Sequence, residues 1–182
     1  MSRGYRISYP RPVPRPVSNA TGSVESADAC AMDVGLLDIL PEAEMVALLR
    51  TRLQDDGWAL GDSGALVKQF GGVTAELAPD GRTVTVRATA KRDVAAKGET
   101  TEQANARLEQ AKKDAGRDLA KTVGKALAAA EGDVRASVQT ALQKVYVEAL
   151  KRKAAALGEI EGMQEHRGEN GELELTIKVR VP

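Results

Sequence analysis

Between residues 34 and 57 the chain reads "VGLLDILPEAEMVALLRTRLQDDG", and Met45, Leu48, Leu49 and Leu53 return at spacings of three and four. That is the stripe of an amphipathic helix. Pro41 is pre-set for a first turn, Glu42 and Glu44 sit where the helix dipole favours negative charge, and Gly57 supplies a stop. The period then drops to two. In "WALGDSGALVKQFGGVTAELAPDGRTVTVRATAKRDV" Val73, Ala75 and Leu77 alternate with polar residues, and so do Val84, Val86 and Ala88. Turn signals fall at Gly61-Asp62-Ser63-Gly64, Gly71-Gly72 and Pro79-Asp80-Gly81. This predicts an antiparallel meander with one buried and one wet face.

From about residue 101 the period returns to between three and four. Ala104, Leu108, Ala111, Ala115, Leu119, Val123, Ala126 and Ala130 line one helical face, and Val134, Val138, Leu142, Val145, Ala149 and Leu157 line a second. Glu131-Gly132-Asp133 lies between them, with Asp133 a suitable N-cap, so the pattern predicts two helices of roughly 40 Å each, folded back as an antiparallel hairpin. The chain closes on an Asn170-Gly171 turn signal and an unbroken alternation of Leu173, Leu175, Ile177, Val179 and Val181. That last strand is expected to join the meander's sheet.

The fold class is therefore α+β: an antiparallel sheet of meander plus C-terminal hairpin, one packing helix, and a long inserted antiparallel helical hairpin. The expected division is an extended proline-rich arm over residues 1–33, a sheet domain over 34–98 and 158–182, and the helical hairpin over 99–157. Residues 18–33, a polar run rich in Ser, Ala and Asp, are not periodic enough to predict a helix and are read as part of the arm.

Prolines 10, 12, 14 and 16 occupy every second position of that arm. In an extended strand, residues two apart direct their backbone groups to the same edge, so these prolines strip the donors from one edge only. Tyr9, Arg11, Val13, Arg15 and Val17 keep theirs on the other edge, the design of a strand that pairs on one flank. A disordered leader is the competing reading. A Pro-x-x-Pro ligand spacing is missing.

Composition narrows the functions. The 182 residues suit one ordinary domain or a compact domain with a helical extension. Aromatics are only 3%, so the core is built from Val, Leu, Ile and Ala. Lys plus Arg equals Asp plus Glu at 26 each, which leaves no global field to draw nucleic acid or an acidic membrane. One cysteine, Cys30, and one histidine, His166, provide neither an intramolecular disulfide nor a Cys/His zinc set. No apolar run approaches a membrane span and no apolar leader follows the N-terminus, so a cytoplasmic location is expected and the Asn19-Ala20-Thr21 sequon has no secretory context.

No motif forms a coherent catalytic constellation. Gly124-Lys125 lacks the second glycine and the following Ser or Thr of a phosphate loop. His166, between Glu165 and Arg167, has no nucleophile assigned by spacing. Asp33, Asp38, Glu42 and Glu44 cluster at a helix start, which the dipole explains without a cation. Lys144, Lys151, Arg152 and Lys153 make a basic helix end that either matches the dipole or offers a stripe to phosphate backbones. Trp58, the one tryptophan, reads as an anchor between helix and sheet.

Two stretches, "RPVSNATGSVESADACAMDVGLLDILPEAEMVALLRTRL" and "EALKRKAAALGEIEGMQEHRGENGELELTIKVRV", carry a resemblance. With a basic proline-bearing start, Met32-Asp33-Val34-Gly35-Leu36-Leu37 before a helix, an alanine-rich middle and Lys151-Arg152-Lys153-Ala154 ahead of the final hairpin, the chain resembles a small accessory-domain family of bacterial FtsH ternary systems. In those gene clusters an AAA+ ATPase is encoded beside several companion proteins. The resemblance implies a non-enzymatic, cofactor-free component of a cytoplasmic multi-protein system suspected of a role in conflict or stress response. Its expected partners are proteins of the same gene cluster, the AAA+ ATPase among them, and the resemblance transfers no functional residues. The expectation is thus an adaptor whose contacts are made by the arm (Tyr9, Arg11, Val13, Arg15, Val17) and the helical hairpin. The alternatives are a self-assembling protein that exchanges the arm as a strand, or a weak nucleic-acid binder using Lys144, Lys151, Arg152 and Lys153.

Overall fold

A computed structural model describes residues 17–167 and 173–180. The elements are β1 (Ser18–Asp33), α1 (Glu42–Asp55), β2 (Ala59–Leu60), β3 (Leu66–Phe70), β4 (Val73–Leu77), β5 (Thr83–Gly98), α2 (Thr101–Leu157), β6 (Glu159–Arg167) and β7 (Leu173–Arg180). They form a mixed α/β protein with a five-stranded antiparallel sheet in the order β1-β5-β4-β3-β2 and a separate ribbon, β6-β7. The contacts divide the chain into two units, Met1–Glu25 with Lys91–Leu119, and Ser26–Ala90 with Ala120–Pro182.

The second unit holds the main core. Met45, Leu48, Leu49 and Leu53, the predicted stripe of α1, are all buried. They meet the inward positions of the meander, where Ala75 stands opposite Val86 and Leu77 opposite Val84. Gly57 ends the α1 segment at φ 87°, a left-handed conformation that only glycine adopts freely. Trp58 is 2% exposed, edge-on to Phe70 at 6.0 Å, and its Nε1–H donates to Ser137 Oγ at 3.3 Å. The anchoring role expected of it is what the geometry shows.

In the first unit, the outer halves of β1 and β5 carry the first turns of α2. The Gln103 N–H donates to Thr100 Oγ1 at 3.2 Å, and Gln103 Oε1 reaches back to the Glu99 N–H at 3.3 Å. The Thr-x-x-Gln spacing thus works as a capping box displaced by one donor. A Cβ placed on Gly22 would stand 2.7 Å from Lys112 Cε and 3.7 Å from Leu108 Cδ2, so the lysine side chain of α2 lies over this glycine.

Three expectations are corrected. The helical hairpin does not exist: α2 is one helix of 57 residues. Gly132 has no left-handed φ to turn the chain, and Ala130, Val134 and Val138 keep the buried stripe unbroken across it, although Leu157 at the far end is 64% exposed. A helical glycine costs about 1 kcal/mol against alanine, less than burying a single valine contributes. Residues 18–33 are a regular strand, not an irregular arm. Finally, β7 pairs only with β6, because the place beside the 16-residue β5 is taken by the 16-residue β1. Of the two edge strands among the described residues, β2 is two residues long and offers little ladder to extend, and β1 pairs only with β5.

Candidate interaction surfaces

The β6-β7 ribbon has an apolar and a polar face. Ile160 stands opposite Val179 and Met163 opposite Ile177, while Gln164 faces Thr176 and His166 faces Glu174. One residue, Glu161, is inserted between the paired Ile160 and Gly162, and this irregularity keeps Ile160 and Met163 on one face. Glu161 forms an ion pair with Arg180. Ile160 is 38% and Met163 43% exposed, and Ile177 and Val179 are only half-buried, so much of the apolar face meets solvent. A two-stranded ribbon is marginal in water unless its apolar face is covered. The Asn170-Gly171 turn signal lies outside the described residues.

The second surface is the outer edge of β1, which is open among the described residues. Within the second unit this strand contributes residues 26–33, and beneath it lies a cleft of about 400 Å³ lined by Cys30, Met32, Val84, Val138 and Leu142, with Arg135 at its polar side. Arg135 is paired with Glu131 at 2.9 Å, one helical turn away, so its charge is already matched. Cys30 is a half-buried free thiol. Among the described residues, no group of three or more His, Cys, Asp and Glu side chains could hold a metal ion. Asp33 Oδ1 accepts the Gly35 N–H at 2.8 Å, and Glu42 accepts from Arg82 Nε at 2.9 Å, so this carboxylate cluster serves turns and ion pairs.

The basic helix end is partly neutralised. Lys144 Nζ lies 3.0 Å from Asp56 Oδ1, and Arg152 Nε lies 3.1 Å from Glu148 Oε1. Lys151 is half-buried and Lys153 exposed. Half of the stripe proposed for phosphate backbones is therefore engaged within the chain. Of the arm residues, Val17 is described, 61% exposed just ahead of β1, and Tyr9, Arg11, Val13 and Arg15 lie outside the described residues.

The ribbon's face and the edge of β1 escape residue-by-residue motif reading because they arise from which strands pair rather than from a local motif. One signal for the ribbon was legible: an alternating strand with apolar residues on one face needs a cover. The polar contact of the half-buried Tyr146 was missed as well. Its hydroxyl donates to the Gly35 carbonyl at 3.0 Å and accepts the Leu37 N–H at 3.3 Å, tying the β1–α1 connection to α2. Partial burial raises its pKa above the usual tyrosine value.

Taken together, these are the surfaces of a small mixed α/β protein with a long helix on an open sheet. The chain belongs to the FtsH ternary system domain X5 family, whose model matches residues 1–181. It is thus a component of an FtsH ternary system, in keeping with an accessory role. No curated protein and no solved structure matches it. Among the described residues, no helix is long and apolar enough to cross a membrane.

Proposed function

We propose that this chain is a non-enzymatic adaptor of its FtsH ternary system, docking another component of that system, in the first instance the AAA+ ATPase, on the apolar face of the β6-β7 ribbon. The observation that carries this reading is Ile160, Met163, Ile177 and Val179 sharing one face of a two-stranded ribbon and remaining partly open to solvent. A partner that covers them removes apolar area from water at about 25 cal/mol per Å² and stabilises the ribbon at the same time. Family membership supplies the class of partner, since a ternary system has further components. The contact expected of the helical hairpin is withdrawn with the hairpin.

The test is co-elution of the purified chain with the products of neighbouring genes. A stable complex is expected, and Met163→Glu with Ile177→Glu should abolish it while the far-UV spectrum stays unchanged. A chain that elutes without any neighbour when every one of them is present refutes the proposal.

A further inference from the structure

Among the described residues β1 is an edge strand, and its outer edge has a defined chemistry. Val34 N–H donates to the Arg82 carbonyl, so the even-numbered residues of β1 direct their backbone groups toward β5. Inward burial falls on even positions along both strands, at Val24, Cys30 and Met32 as at Val84, Val86 and Ala88, which leaves no parity change between them. On the far side of β5 the odd residues do the pairing, as the Ala78 N–H bond to the Thr83 carbonyl requires. The odd residues of β1 therefore point their donors and acceptors at the open edge. In the second unit these are Ala27, Ala29, Ala31 and Asp33. The Ala29 N–H is met by the neighbouring Asp28 carboxylate at 2.8 Å.

We infer that this edge accepts residues 9–17 of a second copy of the chain as an added strand. Three observations select that occupant. First, its donors match: prolines 10, 12, 14 and 16 remove the backbone N–H from one edge of this segment and leave Tyr9, Arg11, Val13, Arg15 and Val17 to bond on the other. Odd residues then pair with odd residues, and the proline edge faces outward, where it ends the sheet.

Second, the charges are complementary. Residues 1–16 carry Arg3, Arg6, Arg11 and Arg15 with no acid, whereas β1 carries Glu25, Asp28 and Asp33 with no base. Parity also places Arg11 and Arg15 on the same sheet face as Glu25 and Asp33.

Third, the even positions fit the cleft. In an antiparallel pair, opposite side chains share a face, so the proline rings come to the helix side, beside the 400 Å³ cleft with its Met32, Val138 and Leu142 walls. A segment from the same molecule is disfavoured because Ser18 opens β1 directly after Val17, with no residues between for a hairpin turn. Exchange between two copies is reciprocal, so the pairing closes at two chains.

This inference is independent of the partner proposed for the ribbon. The full chain should sediment at twice the 19.3 kDa of one chain. Ala27→Pro removes an outward donor and leaves the β1-β5 ladder intact, and Arg11→Glu with Arg15→Glu reverses the arm while leaving every described residue in place. Each variant alone should sediment as a monomer. Mixed together they should form a heterodimer weaker than the parent dimer, because one keeps its arm and the other its edge and so one of the two pairings survives. A full chain that stays monomeric at the highest attainable concentration overturns the inference, leaving the edge to a strand of another protein. A dimer that survives the arm variant overturns it equally.

Discussion

Replacing Gly132 by alanine puts the continuity of α2 to a direct test. Gly132 lies inside the helix, is exposed, and has a φ outside the left-handed region; a Cβ added there meets nothing within 4 Å. The new methyl group therefore makes no clash, and the substitution removes the glycine's extra backbone freedom from the unfolded chain. Alanine in a helix interior is favoured over glycine by roughly 0.5–1 kcal/mol, so Gly132→Ala should raise stability by that amount. For a chain of this size the melting temperature rises by about 1–4 °C, taking about 2–4 °C per kcal/mol. Urea unfolding followed at 222 nm gives the free energy, and a thermal scan gives the shift. Had Glu131-Gly132-Asp133 been the turn of a helical hairpin, a left-handed glycine there would make alanine costly. A loss of about 1 kcal/mol would refute the single helix.

Gly81 provides the opposite case: its φ is 72° and an added Cβ would approach Val46 Cγ1 at 3.1 Å, so Gly81→Ala should lower stability by about 1–3 kcal/mol in the same urea experiment. Trp58→Ala should cost about 3–5 kcal/mol by emptying the space between Phe70 and Ser137, and Trp58→Phe distinctly less, both read from urea midpoints. The raised pKa of Tyr146 means that the unfolded chain ionises first as pH climbs. Its contribution is whole below the unfolded value of 10.0 and is lost as pH rises from there through the folded pKa. Tyr146→Phe should therefore lose less stability between neutral and strongly alkaline pH than the parent chain does, in pH-dependent urea titrations.

The parts of the fold legible in the sequence were those whose inward positions are large. Met45, Leu48, Leu49 and Leu53 announce α1, and Val73, Leu77, Val84 and Val86 announce the meander. In β1 the even, inward positions begin Ser18, Ala20, Gly22, Val24 and Ser26, too small and polar to register as an apolar alternation. Gly22 and Gly116 lie where helix and strand face each other, with Lys112 over the first and Val24 Cγ1 in ordinary contact distance, 3.6 Å, of a Cβ on the second. Small inward residues conceal the period.

The helix break at Gly132 was inferred from a local preference worth about 1 kcal/mol, which a continuous buried stripe on both sides outweighs. The destination of β7 was not legible either. Its alternation specifies a strand with two unlike faces, but competition from β1 for the side of β5 depends on a strand that the sequence conceals. Among the candidate site residues, Lys144 and Arg152 were identifiable as cations but not as partners of Asp56 and Glu148. The Arg152 pair follows the i, i+4 spacing and was open to inspection, whereas Lys144–Asp56 joins residues 88 apart in sequence.

The central claim is that the β6-β7 ribbon is where this component meets its partner. Amide hydrogen exchange of the chain alone and in complex with a co-eluting neighbour tests it most directly. The account predicts that slowing on complex formation is concentrated in β6 and β7, around Ile160, Met163, Ile177 and Val179. Unchanged exchange in the ribbon, with protection gained elsewhere on the chain, would contradict it.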